Sequence, residues 1–194
     1  MPLMTDASVL PRPAPQPGFV STIALVGFMG AGKTTVGQAL AHRLGWRFLD
    51  LDQLVEAREG RTVPQIFEQG DERRFRELEQ TVLTDLLNRD SKFFVLALGG
   101  GAFVSSEIRE ILRHRGVPAI WLDAPVEELF RRCEQPDVVR PLRQDPGQFT
   151  KLYEQRLSSY RQAALRVITT RKEIPALVDE IIAQLALGHA SEEC

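Results

Sequence analysis

The chain is poor in cysteine and lysine, carries almost no net charge, and lacks any long apolar run. Its 194 residues include 2 cysteines, Cys133 and Cys194. That is too few for the stapled framework of a small secreted domain, and two unpaired thiols in a reducing cytosol are expected. The formal net charge of −2 excludes a global basic field of the kind that gathers nucleic acid or anionic lipid. No stretch approaches the roughly 18 uninterrupted apolar residues of a spanning helix. Of 24 basic side chains only 4 are lysine, leaving 20 arginines. Arginine presents a planar fork suited to bidentate capture of carboxylate and phosphate. Genomic base composition also raises arginine use, so each arginine has to be argued by its position.

What is present is an ordinary globular composition, 43% hydrophobic and 26% charged, long enough for one domain with a real core. Residues 1–20, MPLMTDASVLPRPAPQPGFV, hold five prolines and no apolar helical period. They read as an extended, disordered tail without the basic start and apolar centre of a secretory signal. From residue 22 the pattern alternates. TIALVG reads as a buried strand ending in glycine, and KTTVGQALAHRLG, 33–45, as a helix closed by Gly45. RFLDLDQL, 47–54, opens like a second strand, yet carries Asp50 and Asp52 two residues apart. On a strand these carboxylates would share one face and repel each other. DERRFRELEQTVLTDLLNR, 71–89, is an amphipathic helix with Asp71 placed as its cap.

FFVLALGGG is apolar and breaks into Gly99, Gly100 and Gly101. SSEIREILRHRG, 105–116, reads as a capped helix, VPAIWLD as a strand, and PVEELFRRC as a helix opened by Pro125. Residues 134–148 are rich in proline and charge and read as a long loop. A helix over FTKLYEQRLSSYRQAA, a strand over LRVITT and a helix over IPALVDEIIAQLAL follow, and 189–194 read as a frayed end. Nearly apolar strands alternating with helices predict an α/β fold whose parallel sheet is covered on both faces.

GFMGAGKT, Gly27 to Thr34, has the G-x-x-x-x-G-K-[ST] spacing, after an apolar strand and at the start of a helix. Glycines let backbone N–H groups close around a phosphate, and the helix N-terminus adds its positive end. Lys33 can reach the β- and γ-phosphates and Thr34 can offer its hydroxyl to Mg²⁺. The domain is expected to bind a nucleoside triphosphate with magnesium. In a doubly wound sheet ligands gather at the carboxyl ends of strands, where Asp50 and Asp52 lie. One carboxylate for the metal, acting through water, and one for an acceptor hydroxyl would account for the pair. A cap at the strand end is the plainer alternative.

Arg76 has Glu79 three residues on, a spacing that can hold a guanidinium in place. Arg140, just before Pro141 in the long loop, is placed like a mobile arginine over a γ-phosphate. Arg156 lies four residues before Tyr160 on the next helix. Each of these could instead be a surface charge. The three glycines could be a tight turn rather than a close approach to a ligand.

Taken in order, GFMGAGKT, DLD, GDERRFRELE, LGGGA, VRPL and RLSSY resemble the shikimate kinase family, of the nucleoside-monophosphate-kinase-like group, over roughly residues 22–187. The resemblance implies a three-layer α/β/α fold with a five-stranded parallel sheet, a domain over 21–188 and a lid near 134–148. It implies transfer of the γ-phosphoryl group of ATP to the 3-hydroxyl of shikimate, a step toward the aromatic amino acids. Gly30, Ala31, Gly32, Lys33, Thr34 and Thr35 would then hold ATP, with Arg132 near the adenine and Arg140 reaching over from the lid. Thr34 and Asp50 would serve Mg²⁺. Asp52 would bind substrate hydroxyls and act as base, with Lys33 and Arg140 completing the catalytic set. Arg76 and Arg156 would hold the shikimate carboxylate, with Glu79 ordering Arg76. Gly99, Gly100 and Gly101 would meet the substrate, and Phe67 and Phe75 would wall the pocket.

The implied partners are ATP and shikimate, with no nucleic acid or membrane, in a cytoplasmic monomer. Two departures stand out. Leu142 is followed by Arg143 where the family usually has a second leucine, and TTRKEIP, 169–175, has no evident match to an adenine-binding loop. Two other readings share the phosphate loop. A gluconate-kinase-like enzyme would not need FRELE, GGGA and RPL together, and a nucleotide sensor would not need an acceptor base.

Overall fold

The computed structural model describes residues 20–69, 72–89, 92–133 and 145–185. Strands β1 (Thr22–Val26), β2 (Arg47–Asp50), β3 (Phe94–Ala97), β4 (Ala119–Asp123) and β5 (Leu165–Ile168) form one sheet in the order β2-β3-β1-β4-β5. Every neighbouring pair is parallel. The helices among the described residues are α1 (Lys33–Leu44), α2 (Leu51–Glu59), α3 (Val63–Gln69), α4 (Glu72–Asn88), α5 (Ser106–His114), α6 (Val126–Cys133), α7 (Pro146–Tyr160) and α8 (Ile174–Gln184). A short 3₁₀ turn covers Ala102–Val104. The three central strands are buried along their whole length. Helices cover both sides of the sheet, so those strands have no solvated face and read as TIALV, FVLA and AIWLD. The edge strands tolerate the exposed Arg47 and Arg166.

Register brings the carboxyl ends together. Asp50 and Leu25 both lie opposite Ala97, and Val26 lies opposite Trp121. Central β1 has β3 on one side and β4 on the other. The loops after β1 and β3 therefore open at the point where the strand order changes direction, which is where such sheets bind ligands.

Two expectations change. The run RFLDLDQL is not one strand: α2 begins at Leu51, and Asp52 stands in its first turn. Asp50 is the N-cap, and its Oδ1 accepts the N–H of Asp52 at 3.0 Å. The two carboxylates therefore do not share a strand face. Buried Leu51 and Val55 hold α2 against the core, and Gly60 closes it in the left-handed region. An apolar strand end and an apolar helix start look alike in pattern, which is why the boundary and α2 itself were not evident. The loop expected over 134–148 also ends early. Asp145 caps α7 by accepting from the amides of Gly147 (2.8 Å) and Gln148 (3.0 Å), and Pro146 opens the first turn. Asp71, the tail over 1–19, Arg140, Leu142 and Arg143 lie outside the described residues.

Candidate active site

The phosphate loop is built by backbone that only glycine adopts comfortably. Gly27 has φ +145°, and a Cβ there would lie 2.5 Å from the Leu122 carbonyl oxygen. Ala31 is buried beneath the loop, while Thr34 and Thr35 are exposed in the first turn of α1. Lys33 Nζ donates to the carbonyls of Gly27 (2.9 Å) and Phe28 (3.1 Å), so its ammonium lies along the loop. Gly30 and Gly32 both have positive φ, and Gly32 forms the N-cap of α1. The first amides of a helix carry no intrahelical bond, so this end suits phosphate oxygens.

Beside it, α2 and α4 bring three charged groups onto the glycines that follow β3. Arg76 Nη1 donates to Glu79 Oε2 at 2.5 Å, and Arg76 Nη2 donates to Glu72 Oε1 at 2.9 Å. Glu72 was not foreseen, although its i, i+4 spacing to Arg76 is written in the sequence. Glu79 is fully buried. Its Oε1 and Asp52 Oδ1 are buried without a hydrogen-bond partner. A Cβ on Gly99 would collide with Asp52 Oδ1 and sit 2.9 Å from Glu79 Oε1. A Cβ on Gly101 would collide with the Arg76 guanidinium. Gly100 differs. Its Cβ position is 3.5 Å from Arg156 Nη1 and 3.8 Å from both the Gly27 oxygen and the Met29 nitrogen. It lies between an arginine and the phosphate loop, where a Cβ would make ordinary contacts and no clash. Phe75 lies against Arg76, 5.4 Å from ring centre to guanidinium, and packs on Phe67 with ring centres 4.8 Å apart and planes inclined by 41°.

On the other side of the phosphate loop, Arg132 ties α6 to β5. Its guanidinium donates to Glu128 Oε1 (2.5 Å), Thr169 Oγ1 (3.0 Å), the Thr169 carbonyl (3.3 Å) and the Gly30 carbonyl (3.4 Å). This brings Arg132 against the start of the 169–175 stretch, a pairing that sequence separation hid. Sequence reasoning also passed over Tyr160, whose hydroxyl donates to the Gly100 carbonyl, and Tyr153, which donates to Asp123 Oδ1 at 3.1 Å. The available signal was spacing: Phe149, Tyr153, Arg156 and Tyr160 repeat at helical intervals on one side of α7.

Among the described residues there is no group of three or more His, Cys, Asp or Glu side chains able to hold a metal. Thr34 and Asp50 nevertheless suit Mg²⁺, a hard cation that prefers a few protein oxygens, waters and phosphate oxygens over an all-protein cage. One oxygen of Asp50 caps α2, and a carboxylate has a second.

Burial is the main force on the two carboxyls. It pushes Glu79 up to about 7; Arg76 pulls the other way, Asp52 adds to the rise and Arg156 opposes it. Asp52 is also raised, by burial first and Asp50 second, against the pull of Lys33 and Arg76. Arg76 is raised despite its burial, because Glu79 and Glu72 favour its charged form, so it stays cationic. Between about 4.5 and about 7 the folded chain holds a Glu79 proton that the unfolded chain has released. The stability that this group contributes is therefore complete below about 4.5 and is lost as pH rises to about 7. Urea unfolding of wild type and Glu79→Gln from about pH 5 to about pH 8 should show the wild type losing up to ~3 kcal/mol relative to the variant. Parallel curves would mean that Glu79 keeps one protonation state throughout.

Known proteins resemble this chain in sequence and fold. A family model described as shikimate kinase matches residues 29–186. A shikimate kinase of Persephonella marina is 39% identical over 163 residues, 84% of this chain and 98% of its own length. One from Burkholderia lata is 43% identical over 172 residues, 87% and 91% of the two chains. Among solved structures, shikimate kinase from Acinetobacter baumannii in complex with shikimate superposes with TM-score 0.78 and 38% identity, covering 89% of this chain and 97% of that one. A gluconokinase from Sinorhizobium meliloti, at TM-score 0.57 and 20% identity, shares the fold alone. On the phosphate loop, the Arg76–Glu79 pair and the glycines they enclose, together with these matches, the chain belongs to the shikimate kinase family.

Proposed function

We propose that the chain transfers the γ-phosphoryl group of ATP to the 3-hydroxyl of shikimate, releasing ADP. The observation that carries this reading is the position of Gly100, set between Arg156 and the phosphate loop, with Arg76 and Asp52 on its neighbours. A small anion placed there meets two guanidinium groups, a carboxylate and glycine amides while its hydroxyl faces the nucleotide end. The A. baumannii relative, which binds shikimate, supports the same choice of substrate.

The chemistry follows from these groups. Arg76 and Arg156 pair with the planar shikimate carboxylate. Arg76 is already held by Glu79 and Glu72, so less freedom is lost when the substrate arrives. Asp52 orients the 3-hydroxyl. The hydroxyl oxygen forms a bond to the γ-phosphorus as the bond from that phosphorus to the β,γ-bridging oxygen breaks. The hydroxyl proton passes to Asp52, whose raised pKa makes it a stronger acceptor than a free carboxylate. Lys33 counters charge on the β- and γ-phosphates, and the glycine amides of the loop hold them in line. Thr34 and Asp50 would hold Mg²⁺, which when bound neutralises phosphate charge. Arg132 would lie toward the adenine, and Arg140, outside the described residues, would be the arginine that reaches ATP.

An assay of ADP release over shikimate and gluconate tests the activity. Turnover of shikimate alone is expected; turnover of gluconate alone would overturn the assignment, and ATP binding without transfer would favour a sensor. Asp52→Asn should lower kcat by about 10²–10⁴-fold, the usual range for a general base. Its ATP dissociation constant should stay within about threefold, because Asp52 meets the acceptor rather than the nucleotide. Tenfold weaker ATP binding in that variant would count against the role.

A further inference from the structure

Tyr160 is fully buried at the last position of α7; its hydroxyl donates to the carbonyl oxygen of Gly100 and accepts from the Arg156 side chain. Its ring stacks on Trp121 of β4, with centroids 6.0 Å apart and planes inclined by 24°. Trp121 is covered in turn by the Arg166 guanidinium at 4.8 Å, and Arg166 donates to Asp123 Oδ2 at 2.6 Å and 3.0 Å. The ring is therefore clamped in the core, and the hydroxyl projects from a rigid base. The same helix presents Arg156 to the Gly100 Cβ position and to the Phe28 ring, at 5.6 Å. Phe28 also meets Phe149 (4.9 Å) and Tyr153 (5.5 Å) edge-on. One face of α7 thus touches both the phosphate loop and the glycine loop.

We propose that Tyr160 is a positioning residue for the acceptor: by holding the Gly100 carbonyl it sets the glycine loop at a fixed distance from Arg156. The peptide between Gly100 and Gly101 is anchored at its oxygen, so the Gly101 amide points away from Tyr160. A glycine loop has no side chains of its own to lock it, and free rotation there would blur the surface offered to the substrate. Burial raises the Tyr160 hydroxyl to about 12, so it remains a donor through the working pH range. The proposal rests on the reading that Gly100 meets shikimate.

The test is steady-state kinetics of Tyr160→Phe beside Tyr153→Phe. Tyr153→Phe deletes the bond to Asp123, whereas Tyr160→Phe deletes the bond to Gly100 together with the contact to Arg156, so only the second change loosens both the glycine loop and the arginine set against it. Wild-type turnover of shikimate checks the underlying reading separately. For Tyr160→Phe the KM for shikimate should rise about three- to tenfold, the range one hydrogen bond carries. Its kcat and its KM for ATP should stay within about twofold. Tyr153→Phe should leave the KM for shikimate unchanged. Three results would overturn the proposal: an unchanged KM for shikimate in Tyr160→Phe, an equal rise in both variants, or a Tyr160→Phe protein that fails to fold, which would make the hydroxyl structural.

Discussion

The site is organised around a carboxylate that has no access to water. Glu79 is fully buried, and the guanidinium of Arg76 offsets its desolvation through a 2.5 Å hydrogen bond. That pair needs room, and the chain provides it by omitting side chains at Gly99 and Gly101, where a Cβ would strike Asp52 and Glu79 or Arg76. Glycine at 99 and 101 is therefore a packing consequence of these charged groups. Breaking one partner of such a pair leaves a buried charge uncompensated, so the sequence FRELE and the sequence GGGA constrain each other.

The sheet order turns this local constraint into a site. With β1 between β3 and β4, the phosphate loop and the glycine loop leave adjacent strands in one direction. Helix α7 closes the arrangement from the side. Its residues reach Phe28 in the phosphate loop, Asp123 at the end of β4 and Gly100 in the glycine loop. In the proposed reading, nucleotide and acceptor would meet on backbone held by the same helix. This suits a reaction with little covalent work for the protein, in which positioning and charge placement supply most of the rate.

The phosphate loop, the alternation of strands and helices, and the Arg76–Glu79 pair were all legible as sequence, because each rests on local spacing. The position of Asp52 was legible only in part. RFLDLDQL carries a strand signal into a helix start, and apolar Leu49 and Leu51 mask the boundary that Asp50 marks by capping. The cap considered as the plainer alternative is present at Asp50, so its second oxygen is what a metal role would use. Tyr160, Arg166 and the contact of Arg132 with Thr169 depend on elements far apart in the chain, which no local pattern joins. The lid arginine, Arg140, falls outside the described residues.

In the proposed reading the acceptor sits over Gly100, between Arg76, Arg156 and Asp52. A crystal structure of the protein with shikimate and a non-hydrolysable ATP analogue tests it most directly. The account predicts the shikimate carboxylate paired with both Arg76 and Arg156, and a ring hydroxyl within hydrogen-bond reach of Asp52 and turned toward the γ-phosphate. A carboxylate bound away from these arginines, or a hydroxyl array facing away from Asp52, would contradict it.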